Sequence, residues 1–335
     1  MRAVRASIHH VEREHAQDQC FHTPLILEEL GMNTDLDALA TALYVTIDDL
    51  LIDHPEWRPE RPVVGIAPKL ADAELVTLAV IQALLGYTSE ARFIRYAHTD
   101  LNGLFGYLPK RPAYNKRLRA AGNMIQHIIA TLARSCPSYT DDVWLVDSTP
   151  VECGRSRETV KRSDMAGHAS YGYCASHSRF FWGLRLHLIA TPSGLPVAYA
   201  LTSATTDERD TAIAMFDLDP ALTDRTRQTL MADKGYRSAN FEAELNAHGI
   251  TLIRPSLKSE PARPGQRFLR PFRQIIESVN QTLKAQLDLE RHGGRKPAGV
   301  CARILQRLLA LTATIWHNET TNQPGPARSL IAYDH

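Results

Sequence analysis

Residues 143–150 read Val-Trp-Leu-Val-Asp-Ser-Thr-Pro, and the chain changes character at this stretch. Its first four residues form a continuous apolar run, which is typical of a short strand buried on both faces. The run stops at Asp147, and the Ser, Thr and Pro that follow favour a turn. We therefore predict a buried central strand over 143–146, with Asp147 at its carboxyl end.

After this strand and a polar insertion, β-rich and helical patterns alternate. Two β-rich runs, Trp182–Thr191 and Leu195–Thr202, flank Pro-Ser-Gly, which predicts a hairpin. Beyond them we predict a helix, a strand ending before Asp233, a helix capped by Ser238, a further strand and a long helix. Their bounds are 207–216, 229–232, 238–248, 250–253 and 271–287. This order predicts a mixed α/β sheet of the ribonuclease-H-like kind, with helices on both faces.

Residues 32–140 carry helical patterns only, so we predict an all-helical domain before the sheet. The predicted helices cover 36–52, 72–86, 89–98 and 113–133. The last is basic at 114–119, which indicates either a DNA-binding surface or ordinary solvated charge. Residues 1–31 lack a sustained apolar period and are expected to be a disordered leader. The predicted domains are thus 32–140 and 141–320, with a tail over 321–335.

The composition excludes several classes of protein. The longest strongly apolar stretch, Leu75–Leu85, is too short to span a membrane. The charged N-terminus is unlike a secretory signal, and no phosphate-binding loop of an ATP-driven enzyme occurs. We expect a cytoplasmic protein.

The five cysteines are scattered and include no Cys-x-x-Cys pair, so disulfides are not expected. Cys153, His168, Cys174 and His177 lie close in sequence and are residue types that bind zinc. Their spacing matches no familiar zinc module, and a solvated loop is the favoured interpretation.

The net charge of +1 hides a local basic excess. The segment Arg254–Arg307 holds 12 Lys and Arg against 4 Asp and Glu. Such a segment indicates either a surface that faces phosphates or a solubilising helix face, and both interpretations stay open.

Three acids are candidates for one site. Asp147 and Asp233 follow predicted strands, where α/β folds place ligand-handling groups, although each could instead stabilise a turn. On a helix with about 100° per residue, Glu277 shares a stripe about 60° wide with Arg273, Asn280 and Lys284. An exposed ion pair between Arg273 and Glu277 is the alternative explanation for that pattern.

Three converging carboxylates are what phosphodiester chemistry with two Mg²⁺ ions requires. Hard cations prefer oxygen ligands, and one carboxylate can bridge both ions. One ion activates the attacking water or 3′-hydroxyl, and the other stabilises the departing oxygen. Neighbouring basic residues would hold the phosphate backbone in line.

In these residues the chain resembles the DDE transposases of bacterial insertion sequences, most closely insertion-sequence family 982. Asp147 in Val-Asp-Ser-Thr-Pro resembles the family's first acid, and Asp233 in Ala-Asp-Lys-Gly-Tyr resembles the second. Glu277 resembles the third through the pattern Arg-x3-Glu-x6-Lys, formed with Arg273 and Lys284. The resemblance covers about Leu36 to Asn318. Many relatives have a tyrosine where this chain has Arg270, which puts a tyrosine-mediated contact with the transposon end in doubt.

The resemblance implies a DNA transposase that cuts at element ends and joins the freed 3′-hydroxyl to target DNA. Asp147, Asp233 and Glu277 would bind Mg²⁺, for which Mn²⁺ can substitute. The partners implied are double-stranded DNA, as terminal inverted repeats and target, and a second subunit in a homodimer at the nucleoid. The residues expected to contact DNA are Arg273, Lys284, Arg270, Lys234, Lys116, Arg117 and Arg119.

Two other functions stay open. A structure-selective nuclease of the same fold would use the same acids without needing a helical domain that reads element ends. A domesticated relative would bind DNA without cutting it, but the presence of all three acids does not favour this alternative.

Overall fold

The computed structural model describes residues 34–60, 67–174, 178–225, 227–256 and 260–333. The leader expected at residues 1–31 lies outside the described residues. The chain divides into two compact units: one ends at Ile128 and includes the chain's end from Leu330, and the other comprises Ile129–Ser329. The three candidate acids all belong to the second unit.

The first unit contains only helices and turns among its described residues. Its helices are α1 (Thr34–Asp53), α2 (Asp72–Leu84), α3 (Glu90–Asp100) and α4 (Arg111–Ala120), followed by α5 (Gly122–Ser135) across the boundary. All of α2 is buried, as its broad apolar face predicted. The Ser89 hydroxyl accepts a hydrogen bond from the backbone of Arg92 and caps α3.

The single helix predicted over 113–133 is wrong, because two helices occupy that stretch. α4 ends at Ala120, Ala121 leaves the helical conformation, and α5 begins at Gly122. Glycine is a poor helix former, so this position tolerates a break. The break lies between buried Leu118 and buried Met124.

The second unit is built on a six-stranded mixed sheet. Its order is β2-β3-β1-β5-β6, and β4 also pairs with β3. β3 is antiparallel to β1, β2 and β4, whereas β1, β5 and β6 run parallel. The strands are β1 (Val143–Gly154), β2 (Ser170–Cys174), β3 (Arg179–Ala190), β4 (Pro196–Ser203), β5 (Gln228–Met231) and β6 (Ile250–Ile253).

Helices pack on both faces of this sheet. On one face, Trp144 and Val146 join a core with residues of α7 and α8, including Phe216 and Leu245. On the other face, α9 contacts β1 and α10 contacts β4. The helices of the second unit are α6 (Arg157–Lys161), α7 (Glu208–Leu218), α8 (Ala239–Ala247), α9 (Leu269–Gln281) and α10 (Pro297–Thr320).

The prediction that a strand ends at Asp147 is wrong. β1 continues to Gly154 because β3 pairs with it along that whole length. The Ser-Thr-Pro that favours a turn locally is thus held extended by a neighbouring strand. Asp147 therefore lies inside a long strand rather than at its end.

Three elements of the second unit were missed: the short helix α6, strand β2 and helix α10. β2 lies in the segment interpreted as a solvated loop, where only its pairing with β3 makes it a strand. α10 follows the predicted long helix; it is long and apolar enough to cross a membrane, but 83% of its most apolar window is buried. A helix buried to that extent is typical of a protein core.

The predicted hairpin is confirmed, and its turn contacts α9. Gly194 adopts a φ of 96°, and a Cβ there would lie 3.0 Å from Val279 Cγ2 on α9. The turn needs glycine both for its backbone conformation and for this close approach.

Replacing Gly194 should destabilise the fold by more than the strain of its left-handed backbone alone. Gly194→Ala should lower the melting temperature more than Gly249→Ala, whose φ is 72° but whose nearest contact would be a backbone oxygen 3.9 Å away. Left-handed backbone costs each variant about 1–2 kcal/mol, and crowding against Val279 adds to the first. Thermal unfolding measures both, and equal losses would show that the contact with α9 is unimportant.

Candidate active site

The pairing of β1 with β5 brings two of the predicted acids side by side. These strands run parallel, and their last paired residues are Leu145 and Met231. Asp147 and Asp233 each follow two residues after that pair, so they come at the same level of the two strands. The charge of Asp233 raises the pKa of Asp147, so the two carboxylates are close enough to repel each other.

Asp233 is held by the short turn that follows it. Its Oδ1 accepts a hydrogen bond of 2.6 Å from the backbone of Gly235 and caps a 3-10 turn over Lys234–Tyr236. The buried ring of Tyr236 anchors the turn against Phe241, with ring centroids 5.9 Å apart. The turn-stabilising role left open for Asp233 is thus present, and its side chain remains exposed.

Asp147 lies half-buried beneath α9. Asn280 on that helix donates a hydrogen bond of 2.7 Å from Nδ2 to Asp147 Oδ2. The pKa of Asp147 is raised from 3.8 to about 7, chiefly by burial and also by the charges of Asp233 and Glu208. A backbone hydrogen bond and a nearby lysine oppose the rise. At neutral pH, Asp147 is therefore divided between its protonated and ionised forms.

Glu208 and Arg185 join this site, although the sequence pointed to neither. Ser148 Oγ, next to Asp147, donates a hydrogen bond of 2.7 Å to Glu208 Oε1. Arg185 on β3 donates from Nη1 to Ser148 Oγ at 2.9 Å and also forms an ion pair with Glu208. Glu208 starts α7, where an acid is common for capping reasons alone, so its pattern carries no sign of this role.

Glu277 lies on the exposed side of α9. Its side chain is 59% exposed, and its Oε1 accepts a hydrogen bond of 2.9 Å from Nε of Arg273. The surface ion pair considered as an alternative is therefore formed. Asn280, one turn further along the same stripe, is buried and contacts Asp147. α9 thus directs this stripe towards the aspartates, with Glu277 one turn away from direct contact.

The continuous helix predicted to Leu287 is wrong in its last turn. α9 ends at Gln281, and Thr282–Gln286 forms a π-helical turn closed by a hydrogen bond from Leu287 N to Thr282 O. Such a turn has a wider spacing than an α-helix, so it changes the direction of Lys284 relative to a regular wheel. The charge of Lys284 still reaches Asp147, whose pKa it lowers.

All three predicted acids line one cavity of about 1030 Å³ in the second unit. Glu208 and Arg185 line it as well, and Asn280 closes it beside Asp147. The cavity therefore combines converging carboxylates with a rim of cations. Four of the cations predicted to contact DNA line this cavity: Arg270, Arg273, Lys234 and Lys284.

The three remaining DNA candidates belong to the first unit. Lys116 and Arg119 are exposed on α4. Arg117 instead donates hydrogen bonds of 2.7 Å to the Leu70 carbonyl and to Asp72 Oδ1. Its guanidinium thus ties α4 to the start of α2 inside that unit.

Part of the basic excess in Arg254–Arg307 lies inside the second unit. Arg254 is buried and pairs with Glu242 and Glu260 at 2.9 Å. Arg303 and Arg307 are buried within α10. These three cations hold the fold together, so the segment's surface is less basic than its composition suggests.

Within the described residues, no group of three or more His, Cys, Asp or Glu side chains is arranged to hold a metal ion. Of the cysteine–histidine cluster, Cys174 is buried and His168 is exposed. His177 lies outside the described residues. Because no such group occurs among the described residues, Glu277 does not join Asp147 and Asp233 as a third ligand in this conformation.

Comparison with known proteins matches part of the chain to a family model. Residues 138–296, just under half of the chain, match a family model described as a transposase DDE domain. The matched region contains both aspartates, Glu208 and Glu277. No curated protein matches the chain significantly. The match supports a DDE-type transposase and, with it, binding to DNA.

The pKa of Asp147 predicts a pH-dependent stability in metal-free buffer. The folded protein holds this proton up to about pH 7, whereas the unfolded chain releases it near 3.8. Stability should therefore fall as pH rises from about 4 to 7 and stay low above it. Asp147→Asn should remove this loss and be the more stable protein at pH 8, by a few kcal/mol at most.

Chemical unfolding across this pH range, with and without MgCl₂, measures the effect. Mg²⁺ should stabilise the wild type at pH 8 more than the variant, because a cation offsets the repulsion between Asp147 and Asp233. Asp142→Asn, at an exposed position before the same strand, is the control and should leave the pH slope unchanged. If the stability of Asp147→Asn depended on pH as that of the wild type does, the result would contradict the raised pKa of Asp147.

Proposed function

We propose, from the match of residues 138–296 to a transposase DDE domain, that this chain cuts DNA at element ends and joins the freed 3′-hydroxyl to target DNA. One observation carries the proposal: Asp147 and Asp233 lie at the same level beside the end of β5, and both line a cavity rimmed by cations. A half-buried carboxylate beside an exposed one, in a cavity rimmed by cations, suits a substrate that is anionic and reacts with the help of a divalent cation.

The residues fit Mg²⁺, or Mn²⁺ in its place. The ligands on offer are carboxylate oxygens, which hard cations prefer, and Asp147 and Asp233 repel each other unless a cation lies between them. Asp147, Asp233 and Glu277 would hold the metal, with Glu277 turning from Arg273 towards the aspartates. When bound, the metal would supply activation of the attacking oxygen and stabilisation of the departing one.

The chain's own side chains would position the acids and the DNA. Asn280 orients the Asp147 carboxylate through its amide, and Arg185 and Glu208 secure Ser148 next to it. Arg270, Arg273, Lys234 and Lys284 would contact the phosphate backbone, as would Lys116 and Arg119 of the first unit. Arg117 is the weakest of the proposed DNA contacts because its guanidinium is already engaged within its unit.

The remaining details of the proposal follow the family resemblance. The sheet would be of the ribonuclease-H-like kind, and insertion-sequence family 982 is the subgroup proposed. The helical domain would read terminal inverted repeats, and a homodimer would pair two ends at the nucleoid, in the cytoplasm. A structure-selective nuclease would share the cutting step but not the joining step.

Removing either aspartate should abolish cutting while sparing DNA binding. Asp147→Asn and Asp233→Asn should each slow cleavage by about a thousandfold or more, because metal stabilisation of the transition state is worth several kcal/mol. The assay follows cleavage of duplexes taken from the DNA that flanks the gene, with Mg²⁺, and tests joining with a supercoiled target. Asp142→Asn is the matched control.

Binding of the same duplexes is measured by fluorescence anisotropy at rising salt. Affinity should fall steeply for wild type and for both variants, since phosphate contacts depend on counterion release. Substantial cleavage by either variant would overturn the assignment of the acids. Cleavage without joining would favour the nuclease.

A pair of glutamine variants tests the third ligand. Glu277→Gln should lose cleavage as the aspartate variants do, whereas Glu208→Gln should keep most of it, because the glutamine amide can still accept hydrogen bonds from Ser148 and Arg185. Cleavage rates over a range of Mg²⁺ concentrations separate metal binding from other losses. The opposite ranking would transfer the third-ligand role to Glu208, which already lies near Asp147.

A further inference from the structure

The hairpin of β2 and β3 exposes three large aromatic side chains. Tyr171, Tyr173 and Phe180 are 56%, 49% and 75% exposed. Tyr173 lies directly opposite Phe180 in the antiparallel ladder, and their ring centroids are 5.1 Å apart in a tilted arrangement. Neighbouring exposed rings of this size mark a contact surface more often than plain solvated sheet.

The opposite face of the hairpin is closely packed, so the rings keep their outward direction. A Cβ at Gly172 would lie 2.8 Å from the Ala204 Cβ and 2.9 Å from the Phe181 ring. Cys174, Phe181 and Ala204 form a small buried cluster there. Side chains of Tyr173 and Phe180 therefore remain on the open face of the sheet.

The aromatic pair is connected to the candidate active site. Tyr173 lines the cavity that contains Asp147 and Asp233. Arg185 donates a hydrogen bond of 3.3 Å from Nη2 to the Tyr173 carbonyl, and another from Nη1 to Ser148 beside Asp147. One guanidinium thus fixes the distance between the ring pair and the acids.

We propose that Tyr173 and Phe180 form a stacking surface for an unpaired DNA base at the mouth of this cavity. The inference rests on the proposed function, because the cations of the cavity would bring a phosphate backbone alongside the rings. Aromatic rings beside a basic groove are the combination that binds single-stranded nucleic acid. Bases inside a duplex are covered on both faces by their stacked neighbours, so the occupant is a base released from a frayed or cut end.

Tyr171 provides an internal control. It lies on the same strand and the same face as Tyr173, is equally exposed, and is opposite Trp182. It does not line the cavity. Phe180 does not line the cavity either, but its ring packs against that of Tyr173. A stacking surface formed by this ring pair should therefore need Tyr173 and Phe180 but not Tyr171.

The experiment compares two DNA probes bound to the full-length protein in Mg²⁺ buffer at low salt. One is a blunt duplex, and the other is the same duplex with a short unpaired tail that carries 2-aminopurine. Stopped-flow fluorescence records base stacking as quenching before cleavage accumulates, and anisotropy gives the affinities. Wild type and Tyr171→Leu should quench the tail and bind the tailed probe about 5- to 100-fold more tightly than the blunt one.

Tyr173→Leu and Phe180→Leu should lose the quenching and the preference for the tail while keeping blunt-duplex affinity. Tyr173→Phe should restore both, since stacking needs the ring and not the hydroxyl. Wild-type quenching in both leucine variants would overturn the proposal. Loss of self-association in Phe180→Leu without DNA would also overturn it, because this face would then be an interface between two copies of the chain. Absence of blunt-duplex binding by wild type would instead contradict the proposed function itself.

Discussion

The parallel pairing between β1 and β5 is the constraint from which the rest of the site follows. This pairing stops at Leu145 and Met231, while β1 continues beside β3 for nine further residues. β1 therefore loses one neighbour where Asp147 occurs, which leaves a gap in the sheet beside this residue, and the Asp147 side chain points to Asn280 of α9. Asp233 reaches the same level because β5 is in register with β1.

Without a bound cation, the charges around Asp147 are arranged unfavourably. Burial and two neighbouring acids raise the pKa of Asp147, whereas a hydrogen bond from the Ser148 backbone and the charge of Lys284 lower it. A protein seldom keeps such an arrangement for stability, because buried like charges cost free energy. The arrangement is understandable if the site is completed by a cation and an anionic substrate.

The predictions that held are those that depend on local chemistry. The helix over 36–52, the Pro-Ser-Gly hairpin and the strand at 250–253 occur close to where their patterns placed them. Hydrophobic period, turn residues and capping residues act within a few positions, so a single sequence carries them. The stripe on α9 was also predicted correctly for Glu277, Asn280 and Arg273, up to the π-helical turn.

Local sequence patterns were therefore enough to predict the alternation of elements, to select the three candidate acids and to place Glu277 on its helix face. Tertiary structure alone decided that β1 continues past Asp147, that β2 is a strand, and that Glu208 and Arg185 join the site. β2 depends on partners 5 to 13 residues away on β3. The others depend on partners 23 to 60 residues away, as in the contact of Ser148 with Glu208. Long-range pairing overrides local preference, because a strand's hydrogen bonds and a side chain's neighbours come from elsewhere in the chain.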